Sequence, residues 1–423
     1  MQVFVVFNPT SGSGRAESLA RRFIAVLAQR GISAESFLSM PSRRDDNRQL
    51  SEASCSSSSV LSEALASRIS HRLNKGMARA TSPGGDGGSR CATNHEPCVL
   101  VAVGGDGTVR SCIAAAQTTG STLFHLASGN ENLFSRQYDW PRDPATAAML
   151  VADVIQRHTH CGAPLSHAIN TMDVVSVGPS GNGRSESAAI MVSAGFDADV
   201  VAQLDARPRD IPGHMAYLAP IVRTLAGWRP PQLTLRVDGK AVVTNQPGWL
   251  VVANMPQYAL RLNPCQTATP DDGMLDVLFV PMQWIGDCVA SLLELARGSI
   301  GLIAGARHFQ ARSVEVLCSS LAVQADGDHI FRSDTKASRG TISDENDVWV
   351  DRLLISVHPT PLLVLASPVG SPNAGPADRA DQFTLAPEGR PMAAPVSLAE
   401  AAAAAMVEVG SNGRSIHTVV PCP

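Results

Sequence analysis

The string Gly104-Gly105-Asp106-Gly107-Thr108 is the part of the sequence best suited to chemistry. Glycines let a backbone approach phosphate oxygens and turn its N–H groups toward them, and a helix starting there adds the positive end of its dipole. Asp106 can hold a Mg²⁺ directly or through water, and Thr108 can cap the helix or donate to phosphate. A second loop, Asn8-Pro9-Thr10-Ser11-Gly12-Ser13-Gly14, is also built of turn formers. It has no Lys of the kind a P-loop needs, which speaks against a P-loop NTPase. Alone, each loop also reads as an ordinary strand-to-helix turn. A third string, Gly84-Gly85-Asp86-Gly87-Gly88, has nearly the composition of the first, but Thr81-Ser82-Pro83 precedes it instead of an apolar run. It reads as loop.

Position in the chain separates these strings. Val3–Phe7 is a strand-like run, and Leu19, Phe23, Val26 and Leu27 recur at helical spacing within Arg15–Gln29. Gly31 ends that helix and Ala34–Leu38 follows as a second strand. Val99–Val103 reads as a buried strand, Val109–Gln117 as a helix, and Thr122–Leu126 as a strand leading into Ser128-Gly129-Asn130-Glu131-Asn132. A βαβ opening points to a parallel sheet. Open α/β sheets bind ligands at the carboxyl ends of their strands, where both glycine loops fall, so the pair points to nucleotide binding.

The rest of the chain has a different rhythm. Residues 41–97 are rich in Ser and Gly and read as a low-complexity insertion, with a candidate helix at Val60–Arg72. Short β-like runs then dominate: Asp173–Val177, Ala188–Ser193, Leu233–Val237, Trp249–Val252, Leu275–Val280, Ser313–Cys318 and Leu321–Gln324. One helical stretch, Met215–Ala226, is apolar around most of its circumference; it fits a lipid-access cleft or simply a core. The expected division is residues 1–160, an α/β nucleotide-binding domain; 161–358, a β-sandwich domain; and 359–423, a Pro/Ala-rich disordered tail.

Composition narrows the function classes. The 423 residues carry 34 basic and 38 acidic side chains, a net charge of −4, which gives no support for nucleic-acid binding. The nine cysteines form no CxxC, and His125, His158, His160 and His167 match no ligand spacing, so no structural zinc is expected. No apolar stretch is long enough to span a membrane. A cytoplasmic protein is expected.

Asn8-Pro9-Thr10-Ser11-Gly12, Gly104–Thr108 and Gly129-Asn130-Glu131-Asn132 together resemble the nucleotide-site motifs of the diacylglycerol kinase catalytic domain superfamily. The resemblance continues through Asp173-Val174-Val175, Ala194-Gly195-Phe196-Asp197-Ala198, Val252-Ala253-Asn254, Asp271–Val277 and Asp326-Gly327-Asp328. It implies a phosphofructokinase-like α/β domain, a C-terminal β-sandwich domain, and ATP- and Mg²⁺-dependent phosphorylation of a hydroxyl on a diacylglycerol- or sphingoid-like lipid. The lipid would be met at a membrane surface by a peripherally associated enzyme, with a second copy of the chain as a candidate partner.

By the same resemblance, Asn8, Pro9, Thr10, Ser11, Gly12, Ser39, Gly104, Gly105, Asp106, Gly107, Thr108 and Asn130 would hold the nucleotide. Asp106 and Asp173 would organise the catalytic Mg²⁺, and Asp272 with the Met274 carbonyl a second, structural cation. Asp328 would be the base, with Asp326 and Asp106 completing the catalytic set. The sequence departs from the pattern at Asn130, where the family usually has Thr, at Leu133, where many members have an acid, and at Asp328, where the family has Glu. Two alternatives stay open on these departures: a catalytically weak pseudokinase, and an NAD kinase, which shares Gly104–Thr108 but lacks the first and last motifs.

Overall fold

The computed structural model describes residues 2–9, 11–12, 14–38, 63–71, 98–161, 168–179, 185–205, 228–259, 262–318, 321–332 and 351–366. Thr10, Ser39, the stretch Met215–Ala226, most of the 41–97 insertion and everything beyond residue 366 lie outside the described residues.

Strand β1 (Gln2–Phe7) and strand β3 (Cys98–Gly104) are apolar runs buried on both faces, as parallel central strands must be. They pair with each other, and β1 pairs with β2 (Ala34–Leu38), all in parallel. Helix α1 (Ala16–Gln29) lays Ala16, Ala20, Phe23 and Leu27 against this sheet. The candidate helix of the insertion is present as α2, residues 63–71, and buries Ala66 and Ile69 in the same core. Helix α3 (Asp106–Thr119) leaves β3 at the glycine string and ends at Gly120, whose left-handed backbone suits glycine. Strand β4 (Thr122–Ala127), the short helix α4 (Leu133–Gln137) and helix α5 (Pro144–Cys161) follow.

The remaining strands are β5 (Ile169–Met172), β6 (Val175–Pro179), β7 (Glu186–Ala188), β8 (Met191–Ala194), β9 (Gln232–Val237), β10 (Lys240–Ala253), β11 (Leu275–Pro281), β12 (Arg307–Ala311), β13 (Ser313–Cys318), β14 (Ala322–Ala325), β15 (Asp328–Arg332), β16 (Asp351–Val357) and β17 (Leu362–Leu365). Helices α6 (Phe196–Asp205) and α7 (Ile285–Ala296) interrupt them. The first sheet has six strands in the order β2-β1-β3-β4-β17-β5. The second has eleven, in the order β15-β14-β8-β10-β9-β13-β16-β6-β7, with β11 on β10 and β12 on β11. Its pairings are antiparallel throughout. The chain is therefore an α/β domain joined to a β-rich domain, each with its own buried apolar cluster.

The sheets do not respect the expected limits at 160 and 358. Residues 169–172 and 362–365 both lie in the first sheet, where β17 runs parallel to β4 and antiparallel to β5. The start of the expected tail is thus a strand. Leu362, Val364 and Leu365 are buried, which gives it the same apolar reason to pair as any internal strand.

Two expected strands differ from their expected extents: one starts late and one is broken in two. The run Asp173–Val177 is strand only from Val175, because Asp173 turns its polar groups elsewhere: its N–H donates to the Pro270 carbonyl at 2.6 Å and its side chain accepts from Gly273 N–H at 2.6 Å. The run Ala188–Ser193 is interrupted at Ala189-Ile190, whose N–H groups go to the Asp326 carboxylate instead of to a neighbouring strand.

Candidate active site

Three backbone segments meet at the carboxyl ends of β1, β3 and β4. Gly12 is left-handed (φ 60°), and a methyl group there would overlap the Ser128 carbonyl oxygen. A β-carbon on Gly129 would lie 2.7 Å from the Gly105 α-carbon. The Ser128 hydroxyl donates to Ser11 Oγ at 3.3 Å. So Ser11-Gly12, Gly104-Gly105 and Ser128-Gly129 approach one another as closely as glycine allows, and only small residues could line this junction. Asn132, itself left-handed (φ 50°), fixes the third segment: its amide accepts from Gly129 N–H at 2.9 Å and donates to the Gly129 carbonyl at 2.6 Å. Asn130 projects exposed beside it.

Helix α3 begins at this junction, with Gly105 as its extended N-terminal cap, so its first N–H groups and the positive end of its dipole face the gathered loops. Thr108 is buried, its side chain occupying the space that a substituent on Gly104 would need. Asp106 does not simply point outward. Its two carboxylate oxygens accept the N–H groups of Leu133 and Phe134, each at 3.0 Å, and so cap α4 from another element. Burial raises its pKa, against the pull of those two N–H groups and of Arg136, while the neighbouring Asp328 raises it further.

From the β-rich domain, Asp328 reaches the same place. Its Oδ2 lies 3.2 Å from where a β-carbon on Gly107 would sit. It also accepts from Arg110 Nη1 at 3.2 Å. Arg110 is buried on α3, and its other guanidinium nitrogens donate to Glu186 Oε2 at 2.9 Å and to the Ser187 carbonyl at 3.1 Å. Sequence reading did not single out Arg110 or Glu186. An arginine inside an amphipathic helix gives no sign of its partners when these stand 76 and 218 positions away.

Asp326, two residues before Asp328, has a different task. Its carboxylate accepts three N–H groups, from Ala189 at 2.7 Å, Ile190 at 2.9 Å and Met191 at 3.0 Å. Burial nevertheless pushes its pKa up to about 6. Three of its lone pairs are engaged by backbone, so whatever part it takes in catalysis, Asp326 anchors the β14–β15 turn to the β7–β8 junction. That turn has a second tie. The Gln324 side chain accepts from Gly327 N–H at 2.8 Å and donates to Ser193 Oγ at 2.6 Å and to Asp197 Oδ2 at 3.3 Å. Asp197 in turn accepts from Trp249 Nε1 at 2.8 Å and from the hydroxyls of Tyr258 and Ser193. A polar network through the β-rich domain thus ends at the residue preceding Asp328.

Asp173, expected beside Asp106, has its own surroundings. The charges that shift Asp106 are Arg136 and Asp328, and those that shift Asp173 are Asp272 and Asp271. The 270–273 turn folds over Asp173 through the Pro270 and Gly273 bonds, which brings it to Asp272. Asp272 Oδ1 accepts from Met274 N–H at 2.9 Å. Burial raises the pKa of both Asp173 and Asp272, and nearby carboxylates add to it: Asp272 and Asp271 at Asp173, Asp276 and Asp271 at Asp272. Among the described residues, no three His, Cys, Asp or Glu side chains converge as a ready-made metal site. His125 is buried neutral beneath the loops: burial lowers its pKa to about 4, and its Nε2 is bonded to the Gly104 carbonyl at 3.0 Å.

Known proteins share this layout. The profile of the diacylglycerol kinase catalytic domain matches residues 2–163, and that of the YegS C-terminal NAD kinase beta sandwich-like domain matches residues 190–339. Proteins named diacylglycerol kinase from two strains of Mycobacterium tuberculosis, CDC 1551 / Oshkosh and ATCC 25618 / H37Rv, are each 23% identical over 328 residues. Each match spans 77% of this chain and 88% of the relative. Two solved structures of a "putative diacylglycerol kinase" from Bacillus anthracis str. Sterne superpose with TM-scores of 0.53 and 0.52 at 14% and 15% identity. They cover 87% of this chain and 95% and 97% of their own. At that identity the superposition shows a shared fold.

Proposed function

This chain belongs to the diacylglycerol kinase catalytic-domain superfamily and is a lipid kinase, and we propose that it moves the γ-phosphate of ATP onto a hydroxyl of a diacylglycerol- or sphingoid-like lipid, using Asp328 as base. The observation that carries this reading is the Asp328 carboxylate held over Gly107, at the N-terminus of α3 and beside the junction of three glycine-bearing segments. The junction fits polyphosphate: its backbone N–H groups and helix dipole supply positive field where side chains are excluded by size. Asn8, Ser11, Gly12, Gly104, Gly105, Gly107, Thr108 and Asn130 border it. They are the candidate phosphate and nucleotide contacts, together with Thr10 and Ser39.

Mg²⁺ characteristically arrives with the nucleotide, held by one or two carboxylates and by phosphate oxygens rather than by a protein cage. Asp328 is near enough to Asp106 to raise its pKa, and these two carboxylates would supply the protein side of such an ion. A bound Mg²⁺ would neutralise charge on the phosphates. Asp272 with the Met274 carbonyl is the candidate for a separate structural cation, with Asp173 close by.

In the reaction, the lipid hydroxyl oxygen bonds to the γ-phosphorus as its proton passes to Asp328, and the bond from that phosphorus to the β–γ bridging oxygen breaks to leave ADP. Such transfers depend on positioning and charge neutralisation more than on a strong base, so a carboxylate shorter by one methylene than the family's Glu is sufficient where it is held in place. None of the described helices is long and apolar enough to cross a membrane, so the lipid would be met at a surface.

The test is labelled ATP with Mg²⁺ and micelles of diacylglycerol, sphingosine or ceramide, comparing wild type with Asp328→Asn. The expected result is label on one lipid, lost in the variant while ATP affinity persists. ATP binding without transfer to any lipid would leave only a nucleotide-binding pseudokinase. Label on NAD would make the chain an NAD kinase.

A further inference from the structure

We infer that Arg110 is the positioning residue for this reaction: it fastens the β-rich domain across the cleft and sets where the Asp328 carboxylate stands above Gly107. The inference rests on Asp328 being the base and adds how that base is placed. Arg110 projects from α3, the helix that starts at the glycine junction, so its origin is rigid with respect to the phosphate site. Its partners Asp328, Glu186 and Ser187 belong to the other domain. Nη1 bonds Asp328 at 3.2 Å, Nη2 bonds Glu186 at 2.9 Å and Nε bonds the Ser187 carbonyl at 3.1 Å.

The geometry suits a guanidinium and no other side chain. A planar fork offers donors in several fixed directions, whereas a lysine offers one compact charge. The Arg110 side chain is 4% exposed, while Glu186 is 18% and Asp328 37% exposed. The cation is therefore the sheltered partner and Asp328 keeps an open side toward the cleft, as a proton acceptor requires. Glu186 and Ser187 hold the guanidinium against the β7 edge, so Arg110 cannot swing to follow Asp328; the carboxylate must come to it. The Gln324 and Asp326 ties fix the backbone of its turn, and Arg110 fixes its carboxylate.

The experiment uses the full chain with ATP, Mg²⁺ and the lipid accepted by wild type, in Arg110→Ala, Arg110→Lys, Asp328→Asn and the double variant Arg110→Ala/Asp328→Asn. Arg110→Ala is expected to lower kcat on the order of 100-fold while the KM for ATP changes by less than about threefold, because the lost interaction acts on the base rather than on nucleotide binding. Added guanidinium at millimolar concentration should restore part of that kcat, which a merely structural defect would not allow. The double variant should be no slower than Asp328→Asn, since both changes act through one carboxylate. Should Arg110→Ala fail to fold, Arg110→Lys keeps the charge and loses the fork, and its kcat should fall about tenfold. An Arg110 variant with wild-type kcat beside an inactive Asp328→Asn overturns this inference and leaves the base in place. Losses that multiply in the double variant also overturn it. An active Asp328→Asn overturns the base itself.

Discussion

Asp328 Oδ2 stands 3.2 Å from the point where Gly107 would carry a β-carbon, and these two residues come from different domains. Gly107→Ala therefore separates activity from stability. Alanine in the first turn of α3 is a better helix former than glycine, by up to about 1 kcal/mol. The added methyl nonetheless pushes the carboxylate by a few tenths of an ångström, and kcat should fall roughly tenfold where positioning dominates. A thermal melt at or above the wild-type midpoint, with reduced kcat, is the expected pair of results. An unchanged kcat would show that the Asp328 carboxylate need not stand there.

Asp326 should behave in the opposite way to its neighbour. Asp326→Ala leaves three buried N–H groups without an acceptor, and each unsatisfied group costs about 1–3 kcal/mol. Urea unfolding should show a loss of several kcal/mol. Asp328→Asn, on a half-exposed side chain, should unfold within about 1 kcal/mol of wild type. Equal destabilisation of the two would contradict the division of labour between them.

For Asp106 the separating measurement is stability without nucleotide. Its carboxylate caps α4 through Leu133 and Phe134, so Asp106→Ala should cost about 1–2 kcal/mol even when no ATP is present. Asp106→Asn retains one acceptor oxygen and should lose about half as much. Inactivity of Asp106→Ala with wild-type stability would leave the cap without weight.

The pH dependence of stability carries a signature of His125. Folded, it stays neutral down to about 4, whereas unfolded it takes a proton below its ordinary value of 6.5. The unfolded state then binds more protons in that window, so the stability this group supports is present above 6.5 and is lost as pH falls toward 4. The gap corresponds to at most about 3 kcal/mol. His125→Phe should flatten the acid-side loss in urea unfolding between pH 6.5 and 4, relative to wild type. An equally steep loss in the variant would assign it to other groups.

The first sheet was legible because its signals are local: Val3–Phe7 and Val99–Val103 are apolar runs followed at once by glycine and then by helical spacing. The glycine strings were told apart by what precedes them, and the loops that follow β1, β3 and β4 do meet. What escaped depends on chain distance. Asp326 and Asp328 are both acids of one short motif, and the three N–H groups at 189–191 that engage the first are far away in the sequence. Arg110 was passed over because a single charge in a helix reads as solvated. Only the family resemblance tied Asp173 to Asp106, and the Pro270 and Gly273 bonds that hold it against the 270–273 turn carry no local signal. β17 was hidden among Pro and Ala, since four residues hold too short a pattern to outweigh the composition around them.

β17 also bears on how the protein is made. The sheet that carries the glycine loops is closed by residues 362–365, and the segment leading there is pinned to α3 by Gln117, which reaches Thr360 and His358. On a ribosome the nucleotide half emerges first, yet its β4 edge stays unpaired until nearly all of the β-rich half has been translated. The two halves are thus not beads that can fold in order of synthesis. The later one must be spliced into the earlier one, which makes the exposed flank of β4 the place where a nascent chain most needs protection from pairing with a neighbour.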